Sequence, residues 1–178
     1  LSIFVLLFLS PILVLIGIVI FLDDGFPILF LQKRVGRNNI NFWIYKFRTM
    51  KKETPDVASH LVNDNHSYHT RVGPFLRKFS LDELPQFINI FKGEMTLIGP
   101  RPALHNQDDL IDLRTKAGLH TLLPGLTGWA QVNGRDELSI SDKVKMDSYF
   151  KDNQSIILKL KILYLTILKA LKAENVSL

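Results

Sequence analysis

The first stretch of the chain, from Leu1 to Leu22, contains no charged residue. A helix of this length would reach roughly 33 Å, which is enough to cross the hydrocarbon core of a bilayer. Ser10 and Pro11 interrupt it, because proline removes a backbone donor and the serine hydroxyl can bond the carbonyl that is freed. We therefore expect a bend there. The pattern is equally compatible with a spanning helix and with one that turns back.

A cleaved signal peptide is the less favoured interpretation of this segment. No small-residue cleavage site precedes the polar turn at residues 23–25. The chain is already apolar at Leu1, so we expect a short preceding piece with flanking charges in the native protein.

The next patterned stretch, residues 42–50, is aromatic and rich in β-formers, and it predicts an extended strand. Period-two alternation places Lys46 and Arg48 on one face and the aromatic residues between and beside them on the other. Residues 51–70 are polar and show no sustained period. They predict a loop, which is compatible with a mobile lid.

A short amphipathic helix is predicted after Ser80. Its apolar residues recur at i, i+3, i+4 and i+7, namely Leu84, Phe87, Ile88 and Phe91. Gly93 supplies a C-terminal stop. Pro85 is tolerated only in a first turn, so the helix should begin near Asp82. Asp82 and Glu83 therefore lie at a predicted helix N-terminus.

Turns and helices alternate in the remaining chain. Residues 99–102 and 124–128 are rigid Gly-Pro turns, and residues 104–118 between them show a helical pattern. Residues 155–172 interleave apolar residues with lysines, which suits either core packing or the membrane surface. The chain predicts an α/β fold that is predominantly helical, in a single small domain with amphipathic surface helices.

Composition narrows the function classes only modestly. The 178 residues suit one domain, and the net charge of +5 favours an anionic partner, whether lipid headgroups, nucleotide phosphates or nucleic acid. The absence of cysteine excludes disulfides, thiolate zinc sites and a cysteine nucleophile. The chain also contains no Walker loop, GxGxxG, GxSxG or HExxH motif.

The Asp82-Glu83 pair is the first candidate for chemistry. Adjacent carboxylates on a helix diverge by about 100°, so one can attack a substrate while the other holds a metal. A helix N-terminus favours an ionised carboxylate and attracts phosphate. The alternative is structural: Asp82 caps the helix, or Ser80 and Glu83 form a capping box. The sequence leaves both open.

Four cations are candidates for binding phosphate. Arg101 lies between two prolines, which stiffen its loop. A guanidinium on a stiff loop can bind phosphate oxygens with little loss of conformational entropy. Arg135 follows another turn. A structural ion pair is the alternative for both, and Lys46 with Arg48 taken alone would equally suit a solvated strand face.

Several other polar residues have weaker signals. No two of His60, His66 and His69 stand at i,i+4, which argues against a metal site. Asp147 is compatible with two roles. It could hold a residue that contacts the substrate, or it could lie on a solvated helix surface. Trp129 is predicted to lie in the core.

Four strings together resemble the bacterial sugar transferase family, the monotopic phosphoglycosyl transferases. They are KFRTM at 46–50, LDELPQ at 81–86, IGPRP at 98–102 and PGLTGWAQVNGR at 124–135. The resemblance runs from Leu9 to the C-terminal helix. Two departures are the missing basic and Phe-Asp residues before the membrane helix, and Lys159 where an Asp is common.

The resemblance implies a membrane topology. In this family a Ser-Pro break turns the N-terminal helix back, and Ser10-Pro11 matches it. We therefore expect residues 1–22 to form a kinked re-entrant membrane helix and residues 23–178 a catalytic domain on the cytoplasmic face of the bacterial inner membrane.

The resemblance also implies a reaction. Asp82 would attack the β-phosphate of a UDP-sugar and release UMP, Glu83 would associate with Mg²⁺, and polyprenyl (undecaprenyl) phosphate would take the sugar phosphate from Asp82. The donor sugar in the family is often N-acetylated and deoxygenated. The substrate-binding residues assigned on this basis are Lys46, Arg48, Arg101, Arg135 and Asp147.

Two functions from other classes remain as competing hypotheses. The first is a membrane-bound, magnesium-dependent lipid phosphatase that uses the same Asp. The second is a basic membrane scaffold or nucleic-acid binder, which is disfavoured because the chain lacks a helix-turn-helix or aromatic-platform pattern.

Overall fold

Helix α1, Ser2–Asp24, is unbroken through Pro11. The structure is a computed structural model that describes residues 2–52, 54, 68–134 and 137–172, with side chains from residue 7 onward. Proline leaves the carbonyl of Leu7 without its usual helical donor, and the Ser10 hydroxyl donates to this oxygen at 2.7 Å. The predicted serine back-bond is confirmed. The predicted turn back at Ser10-Pro11 is not confirmed, because the helix continues.

The second half of α1 packs on the domain, and the rest of its surface stays open. Ile16 and Ile20 are buried in a cluster with Phe47 and Leu76. Residues 7–24 have a mean hydropathy of 2.3, and only 17% of them are buried, so the helix is long and apolar enough to cross a membrane.

Strands β1 (Leu29–Val35) and β2 (Asn41–Phe47) form an antiparallel hairpin around a 3₁₀ turn at Arg37–Asn39. Gln32 lies opposite Ile44, and Phe30 lies opposite Lys46. Because residues two apart in a strand point to the same face, Lys46 projects from the same face as the buried Ile44.

The segment that carries the acidic pair is not one α-helix. After helix α2 (Gly73–Lys78), a 3₁₀ helix covers Leu81–Gln86, and α3 follows only at Phe87–Phe91. The prediction of a single helix starting near Asp82 was therefore right about the position and wrong about the type. Pro85 accounts for the difference, because it cannot donate to an i−4 carbonyl.

The remaining elements surround a two-stranded parallel pair. Strand β3 (Thr96–Ile98) pairs with β4 (Gly125–Thr127). The connection contains α4 (Asp108–Lys116) and a 3₁₀ turn, Leu119–Thr121. In the described part of the remaining chain, the helices are α5 (Trp129–Val132), α6 (Ile140–Asp152) and α7 (Ile156–Lys172). The described fold is mostly helical with a few short strands, as the sequence predicted.

Helix α7 packs by one face and leaves the other uncovered. Leu158 and Ile162 are buried with Val132 and Phe150, and Trp129 packs at the edge of this cluster. The opposite face exposes large apolar side chains, namely Ile156, Ile157, Leu160, Tyr164, Ile167 and Leu171. One face therefore meets the predicted core packing, and the contact of the other face with a membrane surface stays a prediction.

Glycines allow the two loops beyond β3 and β4 to touch. A Cβ atom at Gly128 would lie 2.1 Å from the carbonyl oxygen of Gly99.

We expect Gly128→Ala to lower the free energy of unfolding by about 1–3 kcal/mol, because the backbones of the two loops must move apart. Thermal unfolding of the purified protein measures the change. Gly17→Ala is the control, since its Cβ would meet only the Ile28 side chain, at 3.6 Å. An equal change in both variants would contradict the prediction.

Candidate active site

Three separate segments bring opposite charges together at the acidic pair. Glu83 lies in the 3₁₀ helix and is 8% exposed. Lys46, from β2, donates to its Oε1 atom at 2.9 Å. Arg101, from the loop after β3, donates to the same oxygen through Nη2 at 3.1 Å. The structure thus brings together three of the residues predicted for the site, Glu83, Lys46 and Arg101.

Electrostatics place Asp82 in this cluster as well. Burial lowers the pKa of the Lys46 ammonium below its ordinary value of 10.5, despite the opposing attraction of Glu83. The charges of Arg101, Asp82 and Arg34 also act on the Lys46 pKa, the two guanidiniums lowering it and the carboxylate raising it. Five charged groups therefore share one small region.

The lowered pKa of Lys46 predicts a pH dependence. As pH rises, Lys46 loses its proton earlier than an ordinary lysine, and with it a positive charge beside Glu83. We expect kcat/KM, which reports groups of the free enzyme, to fall on the alkaline side at a lower pH than the ordinary lysine pKa of 10.5 would give. In Lys46→Arg this fall should disappear, because a guanidinium stays protonated. An identical alkaline limb in both proteins would contradict the assignment.

The structural alternative for the acidic pair does not describe this site. Ser80 has a left-handed backbone with φ of 54° and makes no side-chain cap to the 3₁₀ helix. The Glu83 amide instead donates to the Ser80 carbonyl at 3.3 Å. Asp82 lies inside the helix, two residues beyond the cap. The capping box is therefore absent, and the Glu83 carboxylate is engaged by cations.

Arg48 does not join the site, which corrects its assignment to the substrate. Its side chain is 5% exposed and forms an ion pair with Asp24. It also donates to the carbonyls of Pro27 at 2.6 Å, Asp24 at 2.9 Å and Gly25 at 2.7 Å. Strand β2 ends at Phe47, so the alternation that grouped Arg48 with Lys46 no longer applies. Arg48 fixes the end of α1.

Asp147 supports the site only indirectly. It is 1% exposed, so the solvated-surface interpretation was wrong. Its Oδ2 atom accepts from Arg114 Nη2 at 2.6 Å and Nε at 3.0 Å. Burial raises the pKa of Asp147, and the nearby Arg114 opposes the rise. Arg114 in turn donates to the Arg101 carbonyl at 2.8 Å. The direct substrate contact predicted for Asp147 is replaced by this supporting role.

Sequence reasoning missed Arg34 and Arg114. Neither belongs to a string that carried the family resemblance, and only the long-range packing brings them beside Arg101. Arg135, which was predicted to bind phosphate, lies outside the described residues, as do His60 and His66, which the sequence disfavoured as metal ligands.

The described residues suit a metal only in combination with a substrate. No group of three or more His, Cys, Asp or Glu side chains that could hold a metal occurs within them. His69 is buried, with Nε2 placed 3.1 Å from Arg77 Nη1. Mg²⁺ often takes only one or two protein carboxylates and completes its shell with substrate phosphates and water. The adjacent carboxylates of Asp82 and Glu83 fit that donor set.

An apolar cavity of about 590 Å³ lies against the helix of the acidic pair. Residues of α1 form one wall, and Phe47, Pro85 and Ile88 contribute to the other. Pro85 is in the same 3₁₀ helix as Asp82. A surface suited to a hydrocarbon chain therefore borders the charged cluster.

A family model described as "Bacterial sugar transferase" matches residues 1–173. The chain belongs to the bacterial sugar transferase family. A relative of this transferase, the uncharacterized sugar transferase EpsL of Bacillus subtilis (strain 168), is 42% identical over 178 residues, which cover 99% of this chain and 86% of EpsL.

Two further relatives have more specific names. The undecaprenyl-phosphate glucose phosphotransferase of Komagataeibacter xylinus is 37% identical, over 98% of this chain and 35% of that protein. The UDP-glucose:undecaprenyl-phosphate glucose-1-phosphate transferase of Escherichia coli (strain K12) is 37% identical, over 93% and 37%. The chain thus spans little more than a third of the length of these two relatives.

Proposed function

We propose that this protein transfers a sugar 1-phosphate from a UDP-sugar to polyprenyl (undecaprenyl) phosphate at a membrane surface, as the first membrane step of glycoconjugate assembly. The observation that carries the proposal is the acidic pair at Asp82-Glu83, with Lys46 and Arg101 converging on Glu83. The names of the relatives support the acceptor and the type of donor.

In the first displacement, a carboxylate oxygen of Asp82 attacks the β-phosphorus of the donor. The bond between this phosphorus and the bridging oxygen breaks, and UMP leaves with the bridging oxygen. The sugar phosphate remains on Asp82 as an acyl phosphate, which is a competent phosphoryl donor. Lys46 and Arg101 bind the phosphate oxygens and stabilise the charge that develops on them.

In the second displacement, a phosphate oxygen of the polyprenyl phosphate attacks the same phosphorus. The Asp82 carboxylate leaves unchanged, and the product is a polyprenyl diphosphate sugar. The apolar cavity beside Pro85 supports a lipid acceptor, because the hydrocarbon chain finds an apolar surface next to the reacting groups.

Magnesium is the proposed cofactor, and Glu83 is the residue proposed to hold it. When bound, it would neutralise charge on the donor phosphates. Since Lys46 and Arg101 both contact one Glu83 oxygen, their attraction to incoming phosphates would loosen their hold on Glu83.

The proposed location is the cytoplasmic face of the bacterial inner membrane, with residues 1–22 re-entrant and residues 23–178 forming the catalytic domain. The exposed apolar surface of α1 supports membrane insertion. Cysteines introduced at Ser2 and at Glu94 test the topology in sealed spheroplasts. Re-entry predicts that an impermeant thiol reagent labels neither before lysis, whereas labelling of position 2 alone would show a spanning helix.

The reaction is tested by incubating the protein with a UDP-sugar and magnesium in the absence of acceptor. We expect a stoichiometric burst of UMP and the added mass of a sugar phosphate on the peptide that contains Asp82. Steady release of inorganic phosphate from a lipid phosphate, without UMP, would instead indicate the phosphatase. A panel of UDP-sugars then identifies the donor.

A further inference from the structure

The carbonyl oxygens of residues 100–103, the loop that presents Arg101, are all hydrogen-bonded. Pro100 and Pro102 have no backbone N–H, so the loop has few donors of its own. Four consecutive carbonyls nevertheless accept hydrogen bonds, each from a different residue. Gly125 N donates to Pro100 at 2.8 Å, and Val35 N donates to Ala103 at 2.9 Å.

The two central carbonyls are bonded by arginine side chains. Arg114 Nη1, from α4, donates to the Arg101 carbonyl at 2.8 Å. Arg34 Nη1, from β1, donates to the Pro102 carbonyl at 3.1 Å. We call these two side chains the carbonyl clamp.

Each arginine of the carbonyl clamp is itself fixed in the same way. The Nε and Nη2 atoms of Arg114 both donate to Asp147 Oδ2, at 3.0 and 2.6 Å. The Nε and Nη2 atoms of Arg34 both donate to Gln32 Oε1, at 3.1 and 2.6 Å. Asp147 is 1% exposed and Gln32 is 8% exposed. A buried oxygen therefore orients each guanidinium, and Nη1 is directed at the loop.

We propose that Arg34 and Arg114 are positioning residues that fix the Arg101 guanidinium for the donor phosphates. The inference rests on the proposed function, in which Arg101 contacts those phosphates. A side chain whose backbone is already ordered loses less conformational entropy when it grips an anion. The clamp acts through the backbone of residues 101 and 102, and its arginines need not touch the substrate.

The test is a double-mutant cycle on the donor half-reaction, measured as the rate of the UMP burst without acceptor. Arg114→Lys keeps a cation beside Asp147 but cannot make all three bonds. We expect it to slow the burst by roughly 10- to 100-fold, which is typical of a misplaced binding group. In an Arg101→Ala background the same substitution should cause no further loss, because nothing remains to be positioned.

Arg48→Lys is the matched control. Arg48 is also a buried arginine that binds carbonyls, but those carbonyls belong to the end of α1. Any loss it causes should be the same in both backgrounds. If the loss from Arg114→Lys also persists unchanged in Arg101→Ala, Arg114 is merely structural and the proposal is overturned.

Further variants keep the outcome decisive if Arg114→Lys does not fold. Arg34→Lys should show the same dependence on Arg101. Asp147→Asn preserves an acceptor oxygen, as Gln32 does for Arg34, and should retain most of the burst, whereas Asp147→Leu should not. A normal burst in Arg101→Ala would overturn the clamp and the role of Arg101 together. The absence of any burst from the wild-type protein would instead overturn the proposed function.

Discussion

Asp82→Asn abolishes the covalent sugar phosphate adduct and lowers steady-state transfer by at least about 10⁴-fold, if the carboxylate is the nucleophile. The amide matches the carboxylate in size, so the 3₁₀ helix and the Glu83 contacts should survive. An amide oxygen is a far weaker nucleophile, so the acyl phosphate intermediate should not form. Acceptor-free incubation followed by mass spectrometry measures the adduct, and UMP release measures turnover.

The control for this variant is Asp112→Asn. Asp112 is an exposed carboxylate on α4. Its substitution removes the same charge from the protein and should leave both the adduct and turnover unchanged. Wild-type turnover in Asp82→Asn would remove Asp82 from the reaction, whatever happened to the control.

Glu83→Gln should lower turnover by roughly 10²- to 10³-fold, the range seen when one charged or donor group of an active site is removed. The amide cannot neutralise Lys46 and Arg101, which both contact Oε1 in the wild type. It is also a poorer Mg²⁺ ligand, so the magnesium concentration for half-maximal rate should rise. Titration of the UMP burst with Mg²⁺ measures both effects.

Glu94→Gln separates this effect from a general loss of stability. Glu94 is a half-buried carboxylate that accepts a hydrogen bond from Asn89 at 2.7 Å, and it is not among the charges that act on the Lys46 pKa. Its substitution should affect thermal unfolding without changing the magnesium dependence. If Glu83→Gln likewise left the magnesium dependence unchanged, Glu83 would be a counter-ion of Lys46 and Arg101 and not a metal ligand.

Local signals located the acidic pair correctly and described its helix incorrectly. The stripe Leu84, Phe87, Ile88 and Phe91 is a genuine helical pattern, but Pro85 divides the segment into a 3₁₀ helix and a short α-helix. At three residues per turn, the side chains of Asp82 and Glu83 diverge by about 120° and not by about 100°. Both values leave the two carboxylates free to serve different partners.

Strand β1 and Arg34 escaped prediction for a related reason. Residues 29–35 show no clear alternation of buried and exposed side chains, because Gln32 is buried and Leu31 is exposed. A buried glutamine contradicts the simple rule that polar residues face water. Arg34 accounts for it, because Arg34 donates to Gln32 and also to a carbonyl in a distant part of the chain.

The sequence by itself determined the membrane-length apolar helix, the mostly helical composition of the fold, the acidic pair and the family. Those properties depend on short motifs and local periodicity, which any chain displays without folding. Tertiary structure alone decided which arginines lie beside the acidic pair and the Arg101 loop. Arg48, beside Lys46 in sequence, was turned to the end of α1, whereas Arg34 and Arg114 were brought to the Arg101 loop. The reason is that an arginine's partner is the carbonyl that packing places within its reach, and local sequence carries no record of that distance.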